Sequence, residues 1–287
     1  MKKKLLNISG KIDPFTLEVL TLVAEAANSL NIDFFVIGAS ARDIIMKLIY
    51  GIANYRKTND IDFSVRVLNW VDYNKLKVKL LQNGFSTSKI IHKISYKSIQ
   101  GIDIIPFGKI SIDSKSIVWP DQQKKEMSVL GFEECFADSV SIIININPQI
   151  IIKVASARGL AIMKLISWKD GFPSRTRDAN DILFIIKNYL TAGNEKRLFD
   201  ENNDLIDDDF DFVLTGATLL GRDISNLANQ TTLSFLKDLL DNEIKFGVDS
   251  KLIMDMNNAE ILLDIDKYDL NKKYLLKLIK NLRIGMN

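Results

Sequence analysis

The stretch "FFVIGASARDIIMKLIYGIANYRKTNDIDFSV", Phe34 to Val65, decides the fold class. It begins as an apolar run typical of a buried strand, breaks at Gly38, continues with the periodicity of a helix, and returns to an apolar run. In this last run Asp60 and Asp62 are separated by one residue. Because successive strand residues point to opposite faces, we expect both carboxylates on one face and their apolar neighbours in the core.

Carboxylates that share a face repel each other unless a cation lies between them. Mg²⁺ and Mn²⁺ are cations that prefer oxygen ligands. A third aspartate, Asp103, lies between isoleucines in "GIDIIPFG", another predicted strand. These residues predict a Mg²⁺ (or Mn²⁺) site formed by Asp60, Asp62 and Asp103. Asp103 is also the candidate general base that accepts a proton from an attacking hydroxyl.

Simpler interpretations of the same aspartates remain open. Asp60 and Asp62 could be surface carboxylates of an edge strand, paired with the nearby Arg56 and Lys57. Asp103 could be a turn residue that follows a glycine.

The segment "VIGAS" joins the end of a predicted strand to the start of a predicted helix. Gly38 permits a tight turn and a close approach of a ligand to the backbone. Ser40 is a candidate helix N-cap or phosphate-contacting hydroxyl. The free N–H groups at such a helix start favour anions, so the segment is a candidate binding site for the phosphates of a nucleotide.

Strand-like and helix-like segments alternate in the first half of the chain, and strand signals stop at Ser156. This order predicts an α/β (α+β) fold with a mixed sheet, followed by an all-helical C-terminal bundle. The polar, acidic stretch "TAGNEKRLFDENNDLIDDDFD" is the candidate linker. We therefore expect one domain over residues 1–192 and a helical domain over 193–287.

Composition excludes several classes of protein. The chain has one cysteine and one histidine, so it has neither a disulfide framework nor a Cys/His zinc cluster. No apolar run reaches the length of a membrane span, and we expect a cytoplasmic protein. Residues 1–192 carry an excess of basic side chains and the remainder an excess of acidic ones. A basic half is consistent with a nucleotide or RNA ligand, although a chance imbalance on solvated faces explains it equally well.

Together these motifs resemble the polymerase-beta-type nucleotidyltransferases, in which a glycine-serine helix start precedes a strand with two aspartates and a third aspartate on a neighbouring strand. More narrowly, "GASARDI", "RKTNDIDFSV", "IDIIPFG" and "AIMKLISWKD" with "RTRDANDI" resemble the AbiEii/AbiGii-toxin family. The resemblance covers about residues 30–190, with weaker support from "LLGRDI" at residues 219–224.

The resemblance implies an activity and further site residues. Lys164 and Asp178 match a lysine and an aspartate that complete the family's nucleotide site, together with Gly38 and Ser40. It implies a Mg²⁺-dependent enzyme that moves a nucleoside monophosphate from an NTP to a hydroxyl of RNA, such as tRNA, or of a protein, and releases pyrophosphate. It also implies the toxin of a toxin–antitoxin pair, with a cognate antitoxin protein as partner.

Three alternatives remain open. The first is an enzyme of the same fold that modifies a small molecule such as an antibiotic, or that completes tRNA ends. The second is a nucleotide-binding or RNA-binding module that is catalytically silent. The third is a helical tail that serves only as an interaction platform.

Overall fold

The computed structural model describes residues 5–53, 60–97, 99–120, 126–258 and 268–287. The chain divides into two compact units, Met1–Ser156 and Ala157–Asn287. Arg56 and Lys57, the alternative partners of the paired aspartates, lie outside the described residues. Among the helices that are described, none is long and apolar enough to cross a membrane.

The first unit contains all ten strands of the described ranges. They are β1 (Leu6–Asn7), β2 (Asp33–Ile37), β3 (Ile61–Arg66), β4 (Ser86–Thr87), β5 (Lys93–Tyr96), β6 (Ile99–Phe107), β7 (Ser116–Val118), β8 (Glu126–Ser128), β9 (Val140–Asn145) and β10 (Ile150–Val154). Eight form one sheet in the order β1-β9-β10-β2-β3-β6-β5-β4, and β7 pairs with β8 separately. The predicted mixed sheet is confirmed, because β3 is antiparallel to β2 and parallel to β6.

Apolar side chains on these strands bury the centre of the sheet. Phe35 of β2, Phe63 of β3 and Ile104 of β6 are fully buried. Because β3 is buried on the face of Ile61 and Phe63, Asp62 between them emerges on the opposite face, where it is only partly covered.

Both units contain helices. The first unit has α1 (Pro14–Ser29), α2 (Gly38–Arg42), α3 (Trp70–Gln82) and α4 (Phe132–Ala137). The second has α5 (Ala157–Gly171), α6 (Thr176–Lys187), α7 (Glu195–Glu201), α8 (Phe212–Leu227), α9 (Gln230–Phe246), α10 (Lys251–Asn258) and α11 (Tyr268–Gly285). The described part of the chain after Ser156 is thus helical, as the sequence predicts.

The acidic stretch differs from the predicted linker. It contains a kink with non-helical backbone at Ala192 and Gly193, the helix α7 and a short 3₁₀ turn, Asn203–Leu205. Leu198 of α7 is fully buried, which gives this polar segment an apolar anchor that holds it in helical form. The contacts place α5 and α6 with the later helices, and a domain boundary at residues 192/193 stays a prediction.

Helices α8 and α11 approach each other backbone to backbone. A Cβ atom at Gly221 would overlap the carbonyl oxygen of Leu282, and one at Gly285 would overlap the carbonyl oxygen of Thr218. Both obstacles are backbone atoms and cannot rotate away. The two glycines therefore set the distance between these helices.

We predict that Gly221→Ala lowers the free energy of unfolding by about 1–3 kcal/mol, because the added methyl group pushes α11 away from α8. Chemical denaturation followed by circular dichroism measures this. Asn226→Ala, at an exposed position of the same helix, is the matched control and should stay within about 0.5 kcal/mol of the wild type. A stable Gly221→Ala protein would contradict the close contact.

Candidate active site

Two of the predicted aspartates lie side by side on neighbouring strands. Strands β3 and β6 are parallel, and their register pairs Asp62 with Asp103. Residues in register on adjacent strands point to the same face, at a spacing of about 4.8 Å. Asp103 is a strand residue of β6, so its interpretation as a turn residue is wrong.

Asp60 immediately precedes β3 and lies close to Ser40 and Gly101. Ser40 Oγ donates a hydrogen bond to the Asp60 carbonyl oxygen at 2.5 Å. A Cβ atom added at Gly101 would lie 2.9 Å from Asp60 Oδ1. The hydroxyl of Ser40 therefore fixes the backbone that carries the acids, a role that differs from the predicted N-cap.

Gly38 begins α2 in the left-handed region, with φ of 66°, where a side chain is strained. A Cβ atom there would also overlap the carboxylate of Asp62. Ile37, the residue before it, is the register partner of Asp62 on β2. The helix start and the carboxylate are thus direct neighbours, and only glycine fits between them. Helical backbone continues from α2 through a π-helical segment, Asp43–Ile49.

The acids are compatible in part with a divalent cation. Asp60 and Asp62 each place a carboxylate against a glycine, Gly101 and Gly38 respectively, and their oxygens are the ligands that Mg²⁺ and Mn²⁺ prefer. No group of three or more His, Cys, Asp or Glu side chains within the described ranges is arranged to hold a metal ion. The third carboxylate, Asp103, contacts a lysine.

That lysine is Lys93 of β5, which the sequence analysis did not single out. Its Nζ lies 3.1 Å from Asp103 Oδ1. His92 Nε2 lies 3.9 Å from the same oxygen, and the His92 ring packs against Trp119 with 5.4 Å between centroids. Tyr73 lies nearby: burial, and after it the Asp103 charge, raises the pKa of its hydroxyl. The hairpin pattern around Asp103 was the available signal, because it predicts a cross-strand partner for this residue.

Lys164 and Asp178 belong to the second unit, where they contact each other. Lys164 Nζ lies 2.6 Å from Asp178 Oδ1 and 2.7 Å from Asp181 Oδ2. Arg175 Nε lies 3.1 Å from the other oxygen of Asp178. Burial by itself lowers the pKa of Lys164, but the Asp178 and Asp181 carboxylates outweigh it and raise that pKa above its usual value. Their predicted role in nucleotide binding stays a prediction.

The "LLGRDI" segment contributes a buried ionic cluster to the second unit. Arg197 Nη2 donates to Asp223 Oδ1 at 2.8 Å and its Nη1 donates to Oδ2 at 2.8 Å. Tyr189 Oη donates to Asp223 Oδ2 as well. Burial acts to raise the pKa of Asp223, but the hydrogen bonds from Arg197 and Tyr189 prevail and lower it. The aspartate therefore ties α7 and the segment that follows α6 to α8.

The profile of the family described as "Nucleotidyl transferase AbiEii toxin, Type IV TA system" matches residues 21–245. The chain belongs to this AbiEii family. The predictions of family membership and of a nucleotidyltransferase enzyme are confirmed.

Several solved structures are similar at low sequence identity. The solution structure of the antibiotic-resistance factor ANT(2'')-Ia is 11% identical, over 67% of this chain and 95% of that one, with a TM-score of 0.38. The apo form II of a CCA-adding enzyme is 14% identical, over 91% and 68%, with a TM-score of 0.30. The Thermotoga maritima CCA-adding enzyme complexed with tRNA is 12% identical, over 96% and 82%, with a TM-score of 0.25. No curated protein matches.

We predict that Lys164→Met lowers the free energy of unfolding of this AbiEii-family protein by about 3 kcal/mol, because it leaves two buried carboxylates without their shared cation. Denaturant titration measures this. Lys169→Met, at an exposed position of the same helix, is the control and should change stability by less than about 0.5 kcal/mol. If Lys164→Met is as stable as the control, Lys164 is not the counter-charge that the geometry indicates.

Proposed function

We propose that this AbiEii-family nucleotidyltransferase moves a nucleoside monophosphate from an NTP to a hydroxyl of RNA, and that it acts as the toxin of a toxin–antitoxin pair. The observation that carries the proposal is the contact between the helix start at Gly38 and the carboxylate of Asp62, beside its register partner Asp103. An anion-binding backbone next to a row of acids is what a metal-bound triphosphate requires.

The carboxylates of Asp60 and Asp62 would hold Mg²⁺ or Mn²⁺, with Asp103 as the third acid. A bound divalent cation supplies neutralising charge for the triphosphate and for the leaving pyrophosphate. Ser40 keeps the acids in place through its hydrogen bond to the Asp60 carbonyl. The N–H groups that follow Gly38 bind phosphate oxygens.

Nucleotidyl transfer is a displacement at the α-phosphorus of the NTP. The acceptor hydroxyl oxygen forms a bond to the α-phosphorus, and the bond from that phosphorus to the bridging oxygen breaks, so pyrophosphate leaves. Asp103 accepts the proton of the hydroxyl. Its carboxylate is partly exposed, at 26% of the side chain, so an acceptor can reach it.

RNA is the proposed acceptor, with the tRNA 3′ end as the first candidate. The excess of basic residues over 1–192 supports a polyanionic ligand. A protein or small-molecule hydroxyl is the alternative acceptor, and labelling distinguishes them. The cognate antitoxin and the cytoplasmic location remain predictions; the family description names a Type IV toxin–antitoxin system.

We predict that Asp62→Asn reduces transfer by more than about 100-fold, since even outer partners of metal ligands cost 10- to 100-fold when they are lost. The purified protein is incubated with Mg²⁺, each α-³²P-labelled NTP and total bacterial RNA. Asp33→Asn, which changes an exposed acid on the neighbouring strand β2, should transfer at the wild-type rate.

The position of the label identifies the acceptor. Labelled RNA with the wild type and the control alone supports the proposal. Label on a protein or on a small molecule instead would show that this molecule, and not RNA, is the acceptor. Metal-dependent NTP binding without any product indicates a catalytically silent nucleotide-binding module. Transfer by Asp62→Asn at the wild-type rate would show that these acids are not part of the active site.

Toxicity is a separate prediction. Induced expression of the wild type should arrest bacterial growth, because modified RNA no longer functions, whereas Asp62→Asn at an equal protein level should allow growth. Growth curves with immunoblots measure this, and Asp33→Asn should remain toxic. Normal growth with wild-type protein that is active in vitro would contradict the role as a toxin.

A further inference from the structure

A lysine extends the row of acids on the sheet. Strand β5 is antiparallel to β6, and its register pairs Lys93 with Asp103. Asp103 in turn pairs with Asp62 on its other side. Residues in register share a face, so Asp62, Asp103 and Lys93 occupy consecutive places across three strands.

The ammonium group contacts both oxygens of its partner. Lys93 Nζ lies 3.1 Å from Asp103 Oδ1 and 3.4 Å from Oδ2. The Lys93 side chain is 31% exposed and that of Asp103 is 26% exposed. A pair covered to this extent is screened less by water and salt than a surface pair.

The surroundings limit where the Asp103 carboxylate can turn. His92 Nε2 lies 3.9 Å from Oδ1, and Trp119 packs against the His92 ring. Trp119 is almost fully buried, so the His92 ring packs against a core side chain. The carboxylate is held between a lysine on β5 and an aspartate on β3.

We propose that Lys93 is a positioning residue of the nucleotidyl-transfer reaction, whose ammonium group holds the Asp103 carboxylate and competes for it with the divalent cation bound by Asp60 and Asp62. The proposal rests on the proposed function, because it concerns the same acids. A carboxylate that is shared with an ammonium group in this way is a weaker ligand for a divalent cation than a free carboxylate.

Competition for one carboxylate predicts the direction in which the affinity for Mn²⁺ changes when Lys93 is removed. Lys93→Met removes the competing cation and frees Asp103, so Mn²⁺ should bind more tightly than to the wild type. The dissociation constant of Mn²⁺, followed through the electron paramagnetic resonance signal of the free ion, should fall by about fivefold, which corresponds to a coupling of about 1 kcal/mol. Lys93→Arg keeps a cation that can contact Asp103, and its dissociation constant should stay near the wild-type value.

The double variant tests whether Lys93 acts through Asp103. In the Asp103→Asn background, Lys93→Met should change the Mn²⁺ dissociation constant by less than about twofold, because the shared carboxylate is gone. An equal tightening in both backgrounds would show that Lys93 acts only through its charge and would overturn the proposal. Tightening that is absent, or reversed, in the single variant would overturn it as well.

Lys97→Met is the matched control. Lys97 follows the same strand, and its Nζ lies 2.6 Å from a carboxylate oxygen of Glu18. Its substitution removes the same charge and breaks an ion pair between this hairpin and α1, away from Asp103, so it should leave the Mn²⁺ dissociation constant unchanged. A fivefold tightening with Lys97→Met would mean that any lost lysine has the effect, and would overturn the assignment to Lys93.

The failure of this inference can be told apart from the failure of the proposed function. Wild-type protein that binds Mn²⁺, loses it with Asp62→Asn and shows no effect of Lys93→Met would contradict the role of Lys93 alone. Wild-type protein that binds no Mn²⁺, or binds it equally well with Asp62→Asn, would overturn both. Circular dichroism of each variant confirms that it is folded.

Discussion

The parallel pairing of β3 with β6 is the interaction on which the candidate site depends. It places Asp62 beside Asp103, although these residues are far apart in the chain. The pairing is fixed by the buried residues of both strands, since a slip by one residue would turn the acids into the core and expose the isoleucines and phenylalanine. The core therefore determines the position of the acids.

Two glycines leave space for the carboxylates of the candidate site. Gly38 and Gly101 each lie against a carboxylate, of Asp62 and of Asp60 respectively. A side chain at either position would displace an acid. Ser40 adds the link between the helix start and the strand, because its hydroxyl binds the carbonyl of Asp60. This hydrogen bond links the start of α2 to the residue before β3. A site that acts by positioning its substrates requires such links.

Two clusters of buried charges in the second unit are satisfied by partners within that unit. Lys164 lies between two buried aspartates, and Asp223 accepts hydrogen bonds from Arg197 and Tyr189. Buried ions of this kind cost free energy unless each has a partner, so both clusters help to specify how the helices pack. For Lys164 and Asp178, a structural role is therefore present whether or not they also contact a nucleotide.

The sequence by itself determined the mixed sheet and the helical C-terminal part, which follow from local periodicity, and its motifs determined the family. It also placed Asp62 on the face of β3 opposite the buried Ile61 and Phe63, because successive strand residues alternate between faces. It did not determine the helical form of the acidic stretch, where the buried Leu198 overrides a polar composition. Only the tertiary structure decided that Lys93 is the partner of Asp103 and that Ser40 binds backbone rather than capping its own helix. Contacts between strands depend on register and on long-range packing, which no local pattern encodes.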